Sequence, residues 1–372
     1  PPRSTLFPYT TLFRSSDRWA LADYAISLGR GAASTNPVHI PAAAIAADRT
    51  SGVRAGHWPG VGADAAVFGG TIRFADAQPS ALGPAQQSLS AQQCARCHAK
   101  QVREWTGSLH AEAGSPGLLA QLFNIDRGGF SSAEVESCQR CHAPLAEQQP
   151  MIRPGHTGGD DTMTSYVANP RFDAELRHEG LTCAACHVRG GVRHGPPAPS
   201  PSLLALPSYA KQEMRLYERA DFCLPCHQLP ARQALAGKPL LNTYKEWLEG
   251  PYMRRGVQCQ HCHMPNREHT FLGIHDAATF RQGIDVSASA SRRGDRVIAS
   301  ARVRNIGAGH YLPTTPTPAV WLRVELLDEQ RRSLGGEPWS KRIGRHIAFR
   351  GGRWVELEDT RIPPGQTVST DV

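Results

Sequence analysis

The segment GVQCQHCHMP (Gly256–Pro265) contains Cys259-Gln-His-Cys262-His263, and this five-residue pattern recurs four more times along the chain. The other copies are CARCH (Cys94–His98), CQRCH (Cys138–His142), CAACH (Cys183–His187) and CLPCH (Cys223–His227). Together they use all 10 cysteines, Cys94, Cys97, Cys138, Cys141, Cys183, Cys186, Cys223, Cys226, Cys259 and Cys262. In Cys-x-x-Cys-His the two thiols form thioethers with a haem and the adjacent His supplies a proximal iron ligand. The pattern therefore implies five covalent c-type haems, with His98, His142, His187, His227 and His263 as proximal ligands.

Other uses of these cysteines fit less well. Structural zinc draws on Cys-x-x-Cys half-sites but does not require a His after every second Cys. A thioredoxin-like redox pair would occur once, beside a strand–helix unit. A secreted disulfide framework would not repeat one local spacing. The expected cofactor is haem c, with no zinc and no nucleotide.

The chain has 372 residues, a formal charge of +8, 35 Gly, 29 Pro and only 7% aromatic residues. Porphyrins filling the interior make such a composition tolerable, because they replace apolar side chains as core. The charge resembles a nucleic-acid footprint until the haem propionates are counted. Five bis-His haems bring +8 to roughly +3 when ferric and roughly −2 when ferrous. The excess Arg then reads as propionate partners, and nucleic acid is not an expected ligand.

Covalent haem attachment occurs outside the bacterial inner membrane, so a periplasmic or extracellular location is expected. No run of about 18 apolar residues suggests a membrane span. Residues 1–15 (PPRSTLFPYTTLFRS) resemble translated sequencing-adapter read-through and lack the marks of a signal peptide. Trp19–Gly29 resembles the last helix of a single-haem cytochrome c domain, and residues 31–85 read as a Gly/Ala/Pro-rich linker, so 16–87 form a remnant plus linker.

Residues 88–280 hold the five motifs. The expectation is a multihaem cytochrome c domain, mainly α with long irregular loops wrapped around haems. Helices are expected near Ala91–Glu112, Pro116–Phe123, Ser131–Glu136, Ser208–Arg219 and Asn242–Tyr252. From 281 the hydrophobic period becomes two, in Arg296–Asn305, Ala319–Asp328 and Arg353–Glu358. Residues 281–372 therefore read as a small all-β sandwich, incomplete at its C-terminal end.

Several stretches resemble one class of multihaem cytochromes, the class of the nitrifiers' tetrahaem carrier and the hydroxylamine-oxidoreductase-related cytochromes. They are CARCHAKQVREWTGSLH (Cys94–His110), EGLTCAACH (Glu179–His187), CLPCHQ (Cys223–Gln228), NTYKEWLEGPYMRRGVQCQHCHMP (Asn242–Pro265), HTFLGIH (His269–His275) and NIGAGHYLPT (Asn305–Thr314). The resemblance implies distal ligation by the His of Trp-x-x-Ser-x-His, here His110. Twelve helical residues would carry it about 18 Å from His98, so it should serve a haem attached elsewhere. His269 and His275 match paired ligand positions, and His178 stands five residues before Cys183, where relatives place a ligand. His310 follows Gly-Ala-Gly, which lets backbone approach a haem edge. His156 and His194 are weaker candidates. His261, inside its own attachment loop, reads as a surface residue. His39, His57 and His346 read as structural, and Met214 and Met264 as packing residues.

Glu104–His110 (EWTGSLH) and Glu246–Tyr252 (EWLEGPY) align at their Glu-Trp pairs, placing Tyr252 where the first copy has His110. Tyr252 is thus the candidate catalytic residue, beside an iron lacking a sixth protein ligand, or else a helix-packing residue. The expected function is electron transfer through mostly bis-His haems of low potential. Its partners would be redox proteins, such as a membrane quinol-oxidising donor or other cytochromes. The alternatives are an oxidoreductase acting on a small nitrogen or sulfur compound at one open haem, and a subunit of an extracellular electron conduit.

Overall fold

The computed structural model describes residues 89–118, 138–152, 166–189, 192–197, 212–229, 234–328, 330, 332–335, 337–350 and 353–372. The expectations for 1–15, Trp19–Gly29, 31–85, Ser131–Glu136, His39, His57 and His156 lie outside these residues, as does most of Pro116–Phe123.

Helix α1 (Ala91–Thr106) carries the first motif and the Glu-Trp pair on one rod. The Ser90 hydroxyl caps it by accepting the Gln92 N–H, and non-helical backbone at His98, the motif's last residue, breaks its run there. It ends at Thr106 rather than Glu112, with Gly107 as C-cap, and a 3₁₀ turn follows at Ala111–Gly114. Helix α2 (Ala174–His178) starts where the Asp173 carboxylate accepts the N–H groups of Glu175 and Leu176. Helices α3 (Cys183–His187), α4 (Leu224–His227), α5 (Thr243–Glu249), α6 (Cys259–His263) and α7 (Ala277–Gly283) are each one or two turns long. The helix expected at Asn242–Tyr252 stops at Glu249, because Gly250 and then Pro251 follow. The helix expected at Ser208–Arg219 does not form over its described part. A two-residue ladder strand, Gln212–Glu213, and a 3₁₀ turn, Arg215–Glu218, stand there instead. Met214 and Leu216 form their own small core with Tyr217 and Phe222, a tertiary pairing that outweighs local propensity.

The C-terminal unit holds seven longer strands: β1 (Ile284–Arg293), β2 (Arg296–Asn305), β3 (Val320–Val324), β4 (Trp339–Ile343), β5 (Arg345–Arg350), β6 (Arg353–Asp359) and β7 (Thr367–Asp371). The β1–β2 hairpin turns at Gly294 (φ 65°), and β7 adds antiparallel to β2, giving the order β7-β2-β1. Two further antiparallel ribbons are β3–β4 and β5–β6. The period-two pattern of β2 buries Ala301, Val303 and Asn305 while Arg302 and Arg304 face out. The core joins Ile284, Ala301 and Val303 of the three-stranded sheet to Leu322, Ile343 and Ile362, and takes in Phe280 from α7. Strand β3 is shorter than the expected Ala319–Asp328, which the pattern overextended at both ends.

Fully buried Arg345 ties this unit to the haem-motif region. Its guanidinium donates to the carbonyls of Leu235, Lys238 and Pro239, and its Nε to Glu356. Arg361 joins Glu246 of α5 (3.0 Å) to Asp359. Burial alone would raise the Asp359 carboxyl, but Arg361 and Lys238 outweigh it and hold the group well below its ordinary value. A depressed carboxyl stabilises the fold above its unfolded pKa of about 3.9 and loses that contribution as pH falls below it.

Gly114 sits against the Gly180 backbone, where an added Cβ would lie 2.4 Å from the Arg177 carbonyl oxygen and 2.6 Å from the Gly180 amide. Gly114→Ala should therefore cost about 1–3 kcal/mol by overpacking. Thermal unfolding of the haem-loaded protein checks this, and an unchanged midpoint would contradict the packing described.

Candidate functional site

Every attachment motif is a single helical turn, in α1, α3, α4 and α6 and at residues 138–142. A helical turn puts positions i and i+3 on one face, so both thiols of a motif address one edge of a planar group. The turns adjoin one another. They do so in pairs, with Cys94 beside Cys183, Cys141 beside Cys226 and Cys223 beside Cys259.

Three proximal histidines face a candidate distal one. Ring centres are 6.2 Å apart for His227 and His110, 6.2 Å for His187 and His269, and 6.1 Å for His263 and His310. Two imidazoles on opposite sides of one iron, with metal–nitrogen bonds of about 2 Å, separate their ring centres by about 6 Å. The donors have the required form as well. Nδ1–H of His187 donates to the His194 carbonyl (2.9 Å), that of His310 to Tyr311 (2.8 Å), and that of His263 to Leu272. His142 and His178 do the same to the adjacent carbonyls of Ala113 and Gly114, each at 3.1 Å. A carbonyl only accepts, so in the neutral ring the proton sits on Nδ1 and Nε2 keeps the lone pair that a metal needs. The residues present thus fit haem iron.

Electrostatics favour the neutral ring too. Desolvation and the neighbouring His227 and His263 lower the pKa of His110 to about 3. His227 and His310 are lowered to about 4, again mainly by desolvation. His227 is exposed as a residue, so its desolvation comes from protein packed around it at longer range.

The remaining candidates stand apart from these pairs. His178 and His275 are exposed, the latter in the turn Gly273–Asp276. His194 is buried, and its carbonyl orients His187. His261 Nδ1 accepts the Gln258 N–H within its own motif's turn. Met214 packs in a small apolar core.

Two aromatic residues escaped the sequence reading. Tyr217 stacks on His187 at 5.0 Å and donates its hydroxyl to the Cys186 carbonyl (2.6 Å). Phe271 sets its ring between the distal candidates, 4.1 Å from His110 and 6.1 Å from His269. Its φ of 48° is costly for a bulky residue, and Asn266 and Arg267 share that left-handed region in the same loop. Phe271 inside HTFLGIH was the available signal. Tyr217 had none.

The Glu-Trp alignment extends into a structural repeat. Trp105 Nε1 donates to the Leu181 carbonyl, two residues before Cys183, and Trp247 Nε1 to that of Val257, two residues before Cys259, both at 2.8 Å. The carbonyls of His110 and Tyr252 accept from the N–H of those same two residues, each at 3.0 Å. Gly180 and Gly256, just before them, have φ of 60° and 73°. Ala91 and Ala220, each three residues before a first cysteine, donate N–H to Glu179 and Gln258. Tyr252 is thus the backbone equivalent of His110. Its side chain is buried with Ala220, Trp247, Met253 and Val257, where burial and then Cys262 raise its pKa. The Arg255 guanidinium lies 5.4 Å from its ring centre.

A family model described as cytochrome c554 and c-prime matches residues 93–188, which span the first three motifs. Among curated proteins none matches the chain. Among solved structures, the chain is similar to a penta-heme cytochrome c552 from Thermochromatium tepidum. The TM-score is 0.55 at 21% identity, over 78% of this chain and 88% of that one. At that identity the likeness is one of fold. Fold and motifs together define the class, a multihaem c-type cytochrome that carries haem c.

Proposed function

We propose that this protein is an electron carrier of the periplasm or cell exterior, with five covalent haems held at the five motifs. Haem supplies one-electron exchange, and the protein supplies attachment, axial ligands and exclusion of water. The reading rests on the three facing imidazole pairs, His110/His227, His187/His269 and His263/His310. Two protein ligands per iron leave no coordination site for a substrate, which suits transfer rather than turnover. His178 and His275 are further candidates for the irons of His98 and His142, with His156 and His194 as weaker ones. The Nδ1 bond of His178 beside that of His142 supports the first of these. No described helix is long and apolar enough to cross a membrane. Partners would be other redox proteins, among them a membrane quinol-oxidising donor or further cytochromes.

The enzyme reading has one observation in its favour, Tyr252 standing in the backbone position of His110. Against it, the Tyr252 ring is buried in an apolar cluster beneath Gly309, where a Cβ would lie 2.5 Å from Cδ2. Carbon monoxide added to the reduced, five-haem protein separates the two readings. A carrier takes up less than about 0.1 equivalent per chain. One full equivalent, lost to Tyr252→Leu or altered by it, would establish the open iron beside Tyr252 that the enzyme reading requires and overturn the carrier reading. Denatured mass should exceed that of the polypeptide by five haems, and a smaller increment refutes the count.

A further inference from the structure

The repeat contains one element that ligation alone does not require. Glu104, largely buried on α1 beside Trp105, accepts the backbone N–H of His269 on its Oε2 at 2.9 Å. Glu246, at the matching place on α5 beside Trp247, accepts the N–H of Tyr311, the residue after His310, at 3.1 Å. In each copy the tryptophan bonds the strand of chain leading into an attachment turn, and the preceding glutamate bonds the loop that brings the facing histidine. The two copies act on different pairs, His187/His269 and His263/His310. Sequence separation is 165 residues in the first copy and 65 in the second, so neither contact is a local turn.

We propose that Glu104 and Glu246 are equivalent positioning residues, each fixing a distal histidine opposite the haem whose attachment turn its neighbouring tryptophan holds. The proposal rests on the ligand pairs given above. A loop histidine facing an iron must be held against rotation and retreat, and a charge-assisted bond to its main chain does this without touching the ring. Glu104 also pairs with Lys100 at 3.4 Å. Glu246 is held in turn by Arg361 and by the Thr314 hydroxyl. Glu-Trp is thereby a two-pronged clamp, with one prong on the proximal side of a haem and one on the distal side.

The test uses haem-loaded protein carrying Glu104→Ala, Glu104→Gln or His269→Ala, with the Glu246 and His310 variants as a second set. The readouts are the low-spin electron paramagnetic resonance signals and the rate of carbon monoxide binding after reduction. Glu104→Ala should perturb one low-spin signal and raise the carbon monoxide rate at one iron at least tenfold, with five haems still attached. Glu104→Gln keeps an oxygen to accept the His269 N–H and should stay within about threefold of wild type. Changes from Glu104→Ala and Glu246→Ala should add, because they act on different irons. If His269→Ala opens an iron while Glu104→Ala leaves signals and rate unchanged, the positioning role is overturned and the ligand pair stands. If His269→Ala opens no iron, the pair itself is wrong. Should Glu104→Ala lose haem, Glu104→Asp draws the carboxylate back by one methylene, and an unchanged rate there equally overturns the role.

Discussion

His110→Ala should leave all five haems attached and open one iron, that of the fourth motif, to carbon monoxide. Wild-type protein should bind none there, so the expected change is from near zero to about one equivalent per chain. His110 is reached from α1, which begins with the first motif, yet its ring centre lies 6.2 Å from that of His227. A 3₁₀ turn after Gly107 and the T-shaped contact with Phe271 aim the ring away from its own motif. Desolvation keeps it neutral to about pH 3, so the free imidazole is ready to coordinate throughout the physiological range. The first and fourth motifs are thereby coupled through one short helix. Paramagnetic shifts in the variant would identify the opened iron. An opening next to residues 94–98 instead would break the pairing proposed here, and no opening at all would remove His110 from the ligands.

The five motifs were legible as turns in the sequence because their pattern is strictly local. Cys-x-x-Cys-His must form one helical turn, and all five copies do. The strands β2, β3 and β6 were readable from period two, most clearly in β2, where Ala301, Val303 and Asn305 face inward. The ligand partners were legible only in part. His110, His269 and His310 could be named as candidates, but which proximal His each faces depends on loop paths without periodicity. His227 and His110 are 117 residues apart, and nothing local records their meeting. The segment Ser208–Arg219 shows the opposite failure. Its helical spacing was real, but a small core around Met214 and Leu216 took the same residues into a 3₁₀ turn. The Glu-Trp repeat was visible as two identical letters opening seven aligned positions. Its meaning was not, because the groups it contacts, Leu181, His269, Val257 and Tyr311, lie on separate stretches of chain.

Asn305→Ala should both destabilise the β unit and loosen the ligand of the fifth haem. Asn305 is fully buried at the end of β2. Its Nδ2 donates to the carbonyls of His310 (2.9 Å) and Ile362 (3.0 Å), and its Oδ1 accepts the Ala308 N–H (3.0 Å). Removing the amide strands three main-chain groups away from water. At about 1–3 kcal/mol for each buried group left unmade, partly relieved by relaxation, the loss should be roughly 3 kcal/mol. The same three bonds shape the Asn305–His310 turn, so the His310 ring should swing from its place 6.1 Å from His263. The β unit then is more than an appendage, because it brings His310, the proposed ligand, to 6.1 Å from His263 and is clamped there by Glu246 and Arg361. The effects separate cleanly. His310→Ala should open one iron with little change in unfolding midpoint, whereas Asn305→Ala should do both, and the double variant should open no second iron. Lost stability without any gain in carbon monoxide binding would mean that His310 packs beside the haem rather than holding its iron.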